Sequence, residues 1–239
     1  WRNQMCRGKT SCDILGIDPE KWSKTHLLQV PEFFEEALET FSVAIRELAS
    51  GDQKKSLERL NECKSELVGN FFIEHGQQSA YFRVRNKKQI DLLNKAAKSL
   101  NPSPRLLPKV ERLVFLRDSY RCRYCGLRTI SKDVFSEYSR IVGREFFSVE
   151  RENSKRNGLT LGLRGVADHV EPYASGGLTE IENLVTSCYS CNFGKAGYTL
   201  DQLGIEDPRL RSPVNDGWQG LTEYLPKLKK LSSDNSKSV

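Results

Sequence analysis

Ala167-Asp168-His169-Val170-Glu171-Pro172, followed by Gly176-Gly177, Asn183-Leu184 and Cys188-Tyr189-Ser190-Cys191-Asn192-Phe193-Gly194-Lys195, is the stretch whose reading decides the fold. A carboxylate, an imidazole, two amides, two thiols and a lysine fall within fewer than thirty residues. The mixture reads as a strand ending on Asp-His, a Gly-rich loop that carries an Asn, and a short helix opened by Cys-x-x-Cys-Asn. On an extended strand Asp168 and His169 point to opposite sides. Gly176-Gly177 most simply lets the loop turn tightly.

Two of those thiols have counterparts upstream. Cys122-x2-Cys125 and Cys188-x2-Cys191 form two knuckles, and Gly126 closes the first with the residue such a turn wants. Zinc takes four soft ligands tetrahedrally, and each Cys-x-x-Cys bend offers two thiolates. The alternatives are two redox pairs or four separate buried thiols, and the spacer is longer than in a compact zinc ribbon. A site filled by four cysteines leaves no position for water or substrate, so its metal would be structural.

The order and spacing of these residues resemble the HNH endonucleases, whose core is a ββα-metal unit. The resemblance covers about Leu113 to Ala196, and Leu116 to Gly126 resembles the run-up to the first zinc knuckle of that family. It implies a zinc at Cys122, Cys125, Cys188 and Cys191. His169 is the only histidine of the motif, and its unperturbed pKa near working pH makes it the expected general base. By resemblance, Asp168 is a metal ligand and Asn183 braces the histidine-bearing loop through backbone hydrogen bonds. Asn192 stands where many relatives have His. The HNH domains of CRISPR effector nucleases also resemble this pattern, with Asp-His, a middle Asn and an Asn shortly before a Lys. An amide oxygen is a hard ligand suited to Mg²⁺, with Mn²⁺ as a substitute. Lys195 either reaches a phosphate as a point charge or is a solvated helix lysine. Thr179 and Glu182 have capping-box spacing. A close approach to a DNA backbone is the second reading of Gly176-Gly177.

Composition bounds the remainder. The 239 residues suffice for one large domain or two small ones, and the net charge of +6 permits nucleic-acid binding without demanding it. No apolar run approaches membrane-spanning length, and no secretory signal is seen. The chain starts at Trp1 with no initiator Met, which leaves room for an upstream segment. Cys6, Cys12 and Cys63 remain outside the knuckles, and an odd number beside a thiolate site favours a reducing, cytoplasmic location.

The N-terminal half reads as mainly helical. Pro31 opens a helix carrying Phe34, Ala37, Leu38, Phe41, Ala44, Ile45 and Leu48, and Gly51 closes it. Asp52 caps a second helix with Leu57, Leu60, Lys64 and Leu67, ended by Gly69. A strand is expected around Ala80, Phe82 and Val84, and a helix from Asn86 to Leu100. Arg83, Arg85, Lys87 and Lys88 form a basic run, either a phosphate-contacting element or a solvated face. Asn101-Pro102-Ser103-Pro104 marks a boundary. Pro108 to Arg117 then reads as a helix with Val110, Leu113 and Val114 inward. Residues Leu127 to Gly158 form a long insertion rich in aromatic and basic side chains, read as a helical elaboration packed on the core or a DNA-contacting element, two readings that are compatible. Ser232 to Val239 reads as a disordered polar tail.

The expected fold is thus α+β. A mainly helical part over residues 1–104 recognises target or partner, and a zinc-stapled ββα-metal nuclease follows over residues 105–200. An extension with a disordered tail occupies residues 201–239. The expected function is a Mg²⁺-dependent HNH endonuclease acting on DNA, by nicking or double-strand cleavage, in restriction or phage defence among other settings. The resemblance implies 5′-phosphate and 3′-hydroxyl products. One such site cuts one strand, so double-strand cleavage needs a homodimer or two nicks. The alternatives are an RNA- or structure-directed nuclease and a zinc-containing DNA-binding module without catalysis.

Overall fold

A computed structural model of the chain describes residues 24–27, 30–76 and 106–235. The expected strand at Ala80–Val84, the helix at Asn86–Leu100, the basic run Arg83, Arg85, Lys87 and Lys88, and Cys6 and Cys12 lie outside the described residues.

Helix α1 (Phe33–Ala49) buries the periodic face that the sequence marks out, with Phe34, Leu38, Phe41 and Ile45 fully enclosed. Helix α2 (Gln53–Glu62) follows, and the Asp52 carboxylate accepts the Lys55 N–H at its start. The second helix is shorter than expected. Cys63 adopts an extended backbone, and a separate helix α3 (Ser65–Phe71) restarts the chain in a new direction. Gly69 does not end a helix. It lies inside α3, where a Cβ would stand 3.2 Å from the Cα of Gly158. At Gly158 a Cβ would meet the Ser65 carbonyl oxygen at 1.8 Å. The two glycines therefore serve close backbone approach, which no other residue allows here. A π-helical turn, Phe72–Gly76, ends this part.

Helix α4 (Pro108–Arg117) has Pro at its start, as the sequence suggests, and buries Val114 and Phe115, while Leu113 is exposed. Helix α5 (Lys132–Val142) lies in the long insertion and is packed into the core. Phe41 of α1, Phe135 and Phe147 form a mutual cluster, with centroids 5.4–5.8 Å apart, and Phe41 meets Tyr138 edge-on at 5.0 Å. Such aromatic pairs contribute roughly 0.5–1.5 kcal/mol each beyond their buried area. Ser56 of α2 donates to Ala44 O and bonds the Tyr138 hydroxyl, satisfying two polar groups in this apolar setting. The insertion is thus a helical elaboration of the core.

Helix α6 (Gly158–Leu163) follows, capped by Asn157. Strand β1 (Gly165–His169) then pairs antiparallel with strand β2 (Leu184–Cys188), in the register Gly165 with Cys188 and His169 with Leu184. Helix α7 (Tyr189–Lys195) continues directly from β2 and packs against both strands. This β-β-α unit is the only sheet among the described residues. The fold is therefore α+β, mostly helical, with one small sheet. One hydrophobic cluster runs from Phe34 and Phe41 through Tyr124 and Val185 to Leu228.

Helix α8 (Leu200–Leu203) opens with a capping box between Thr199 and Gln202. Helix α9 (Leu225–Asn235) closes the described chain against α5. Here the expected disordered tail is corrected for Ser232 to Asn235, which are helical. Ser232 is buried, and its hydroxyl donates to Glu137 Oε2 at 2.8 Å, an anchor that polarity alone does not reveal.

Candidate functional site

The four paired cysteines converge. Their sulfur atoms all lie within 4.8 Å of one another, and none of the four is in a disulfide. Local backbone geometry builds each knuckle. In the first, the Gly126 N–H donates to Cys122 O and Gly126 has φ +78°, while the Cys122 N–H donates to Leu127 O. In the second, Cys188 ends β2 and caps α7, where its sulfur accepts the Cys191 N–H. A bond from Arg123 N–H to Thr186 O ties the first knuckle to β2. The side chain of Asp118 accepts the Thr186 N–H at 2.7 Å, and Arg117, paired with Asp118, donates to Leu184 O. The cluster can thus hold a metal ion and pin the sheet to the chain before it.

At the far end of β1, Asp168 and His169 face opposite ways. Asp168 is buried, and its Oδ2 accepts a 2.7 Å bond from the Tyr124 hydroxyl and lies 3.3 Å from Lys195 Nζ. Its Oδ1 makes no hydrogen bond among the described residues. Burial raises the pKa of the carboxyl, against the opposing pull of the Lys195 charge and the Tyr124 bond. His169 is half-buried, and its Nε2 lies 2.9 Å from Thr179 Oγ1. Burial, and then the Lys195 charge, lower its pKa, which favours the neutral imidazole.

The loop between the strands is held by one amide. Asn183 Oδ1 accepts the Glu171 N–H at 2.9 Å, and its Nδ2 donates to Glu171 O at 3.0 Å and Leu178 O at 2.9 Å. Gly176 has φ +96°. At Gly177 a Cβ would meet Glu171 O at 2.0 Å, so its close approach is to the protein's own loop. The capping box expected of Thr179 and Glu182 does not form. The turn Ile181–Asn183 starts after Glu180 without a side-chain cap, and the Thr179 hydroxyl serves His169 instead.

Helix α7 places Asn192 and Lys195 one turn apart. Asn192 is part-exposed, and its amide makes no hydrogen bond among the described residues. Lys195 is neither a solvated helix lysine nor open to an incoming phosphate. It is fully buried, and its ammonium donates to His169 O at 2.6 Å while facing Asp168. Sequence reasoning missed the parts played by Tyr124 and Thr179. Nothing local in Arg123-Tyr124-Cys125 says that the hydroxyl reaches a residue 44 positions on.

Residues 164–196 match the family model described as HNH endonuclease. No curated protein and no solved structure matches the chain. The matched segment spans β1, the Asn183 loop, β2 and α7, the elements that carry Asp168, His169, Asn183, Asn192 and Lys195.

Proposed function

We propose that this protein is a metal-dependent endonuclease of the HNH type that hydrolyses DNA phosphodiester bonds. The observation that carries this reading is the β1 end itself. It sets a neutral-leaning imidazole, oriented by Thr179, beside a carboxylate whose Oδ1 makes no hydrogen bond among the described residues, within a segment matching the HNH model. Hydrolysis needs a water made nucleophilic and negative charge stabilised on the phosphate and its leaving oxygen.

The roles divide as follows. His169 accepts the proton of the attacking water. Asp168 and Asn192 would hold Mg²⁺, or Mn²⁺ in its place, because a carboxylate oxygen and an amide oxygen, unbonded among the described residues, are a hard donor pair. When bound, the ion supplies charge stabilisation to the phosphate and the leaving oxygen. Lys195 fixes the His169 carbonyl and screens the Asp168 charge, and Asn183 holds the loop shape. Both are positioning residues.

The four thiolates suit zinc. Tetrahedral zinc with bonds of about 2.3 Å has sulfur–sulfur edges near 3.8 Å, and Cys125 and Cys188 stand 3.7 Å apart. With all four ligands from protein, this zinc would serve the fold and not the reaction. Thiolate ligation also favours a reducing cytoplasmic setting.

Residues 1–104 we assign to target or partner selection, 105–200 to chemistry and 201–239 to an extension. The division is one of roles, since the same hydrophobic cluster draws on all three. No described helix is long and apolar enough to cross a membrane.

Nicking of supercoiled plasmid tests the reading. Conversion to open circle with Mg²⁺, abolished by EDTA, supports it. Tight DNA binding without nicking under either condition overturns it in favour of a zinc-stapled binding module, and cleavage of RNA alone would move the substrate.

A further inference from the structure

Two guanidinium groups crowd one aromatic ring at the start of the sheet. The Arg156 and Arg164 Cζ atoms lie 5.4 and 5.5 Å from the Tyr189 ring centroid. The ring is itself held by Phe72, stacked at 5.5 Å, and by Phe193 at 4.6 Å. The Arg156 charge acts unfavourably on Arg164, and buried charges are normally paired with a carboxylate. Here neither arginine forms an ion pair among the described residues.

Arg156 is aimed by neutral acceptors alone. Its Nε donates to Glu150 O, its Nη1 to the Tyr189 hydroxyl at 2.9 Å and its Nη2 to Arg151 O. Arg164 is more exposed to penalty. Its Nε is buried with no hydrogen-bond partner, and burial lowers the pKa of the guanidinium, which nonetheless stays charged. The carboxylates that act on Arg164 from a distance are Glu111 and Asp133. Glu111 is already bonded to Lys132. Planar guanidinium groups match the oxygens of a phosphate.

We propose that Arg156 and Arg164, stacked on Tyr189, clamp a backbone phosphate of the nucleic-acid strand. This deepens the nuclease reading and rests on it for the identity of the anion. Arg164 precedes β1 and His169 ends it, a separation of roughly 17 Å along an extended strand. The clamped phosphate is therefore not the one attacked. The clamp fixes the register of the strand and carries no base information.

The test is the salt dependence of DNA binding, read by fluorescence anisotropy on a short labelled duplex without added Mg²⁺. The full chain carries His169→Ala, so that no cleavage confounds the titration. Each phosphate no longer neutralised removes about 0.9 from the slope of log affinity against log salt, so Arg156→Gln with Arg164→Gln, which frees the one clamped phosphate, should flatten it by about 0.9. Arg156→Gln alone, at a part-exposed position, should also flatten it, by up to that amount, and keeps the test alive if the double variant unfolds. An unchanged slope in Arg156→Gln overturns the clamp, as does absence of binding by the parent. Plasmid nicking by the unmutated chain is scored separately. Nicking with an unchanged slope sinks the clamp alone, and a flattened slope without nicking sinks the nuclease alone.

Discussion

The buried ammonium of Lys195 donates to the carbonyl oxygen of His169 at 2.6 Å. The same group faces Asp168, so one side chain from α7 fixes both the backbone and the charge at the end of β1. This contact couples the helix to the two residues expected to do the chemistry.

Lys195→Met should therefore do more than lower activity. It leaves Asp168 buried with only the Tyr124 bond and His169 O without its donor. Breaking a buried charged pair from one side typically costs about 3–5 kcal/mol. Urea denaturation should show that loss, together with reduced nicking. A variant of parental stability would mean that the pair is not formed in solution.

Asn183→Asp should be worse than Asn183→Ala. The amide Nδ2 donates to two carbonyl oxygens, and a carboxylate there would face both with no proton to offer. Loss of a donor to such groups costs about 1–3 kcal/mol. The effect should appear as faster proteolysis near Gly176–Leu178 and lower cleavage. Equal behaviour of the two variants would show that the loop does not depend on that donor.

Much of this arrangement was legible in the residues, and the boundary of legibility has a physical cause. The face of α1 and the Pro-led start of α4 follow from local periodicity and spacing, and the convergence of the two Cys-x-x-Cys knuckles follows from the family resemblance. What escaped was tertiary. Gly69 looked like a helix stop because a Gly commonly is one, yet its lack of a side chain serves contact with Gly158. Thr179 looked like a cap because Glu182 lies three residues on, yet its hydroxyl meets His169 across the loop. Lys195 looked like a surface charge because its helix is short and polar, and only packing against β1 shows it facing inward.

Gly158→Ala tests that close approach. A methyl group at this position would overlap the Ser65 carbonyl oxygen, a backbone atom that cannot swing away. Overpacking of this kind costs about 1–3 kcal/mol or more. Thermal melting should show a clear drop, with Gly126→Ala as a comparison in which strain comes from φ +78° and not from a neighbour. An unchanged melting temperature would mean that α3 and α6 are further apart than described.

The metal prediction is direct. Elemental analysis of purified protein should give one zinc per chain, and Cys122→Ser should lose it and unfold or aggregate, because the ligation energy of a structural zinc contributes to folding. Well-folded protein free of zinc would remove the staple from the account.

The central claim is that the imidazole at the end of β1 takes the proton of the attacking water. The measurement is the single-turnover rate of plasmid nicking in Mg²⁺ for the parent and for His169→Ala, with zinc content and DNA affinity checked in both. Intact zinc and near-parental binding are expected of His169→Ala, with a rate lower by at least about a hundredfold, the usual size of a general-base effect. Nicking by His169→Ala at the parental rate would contradict it.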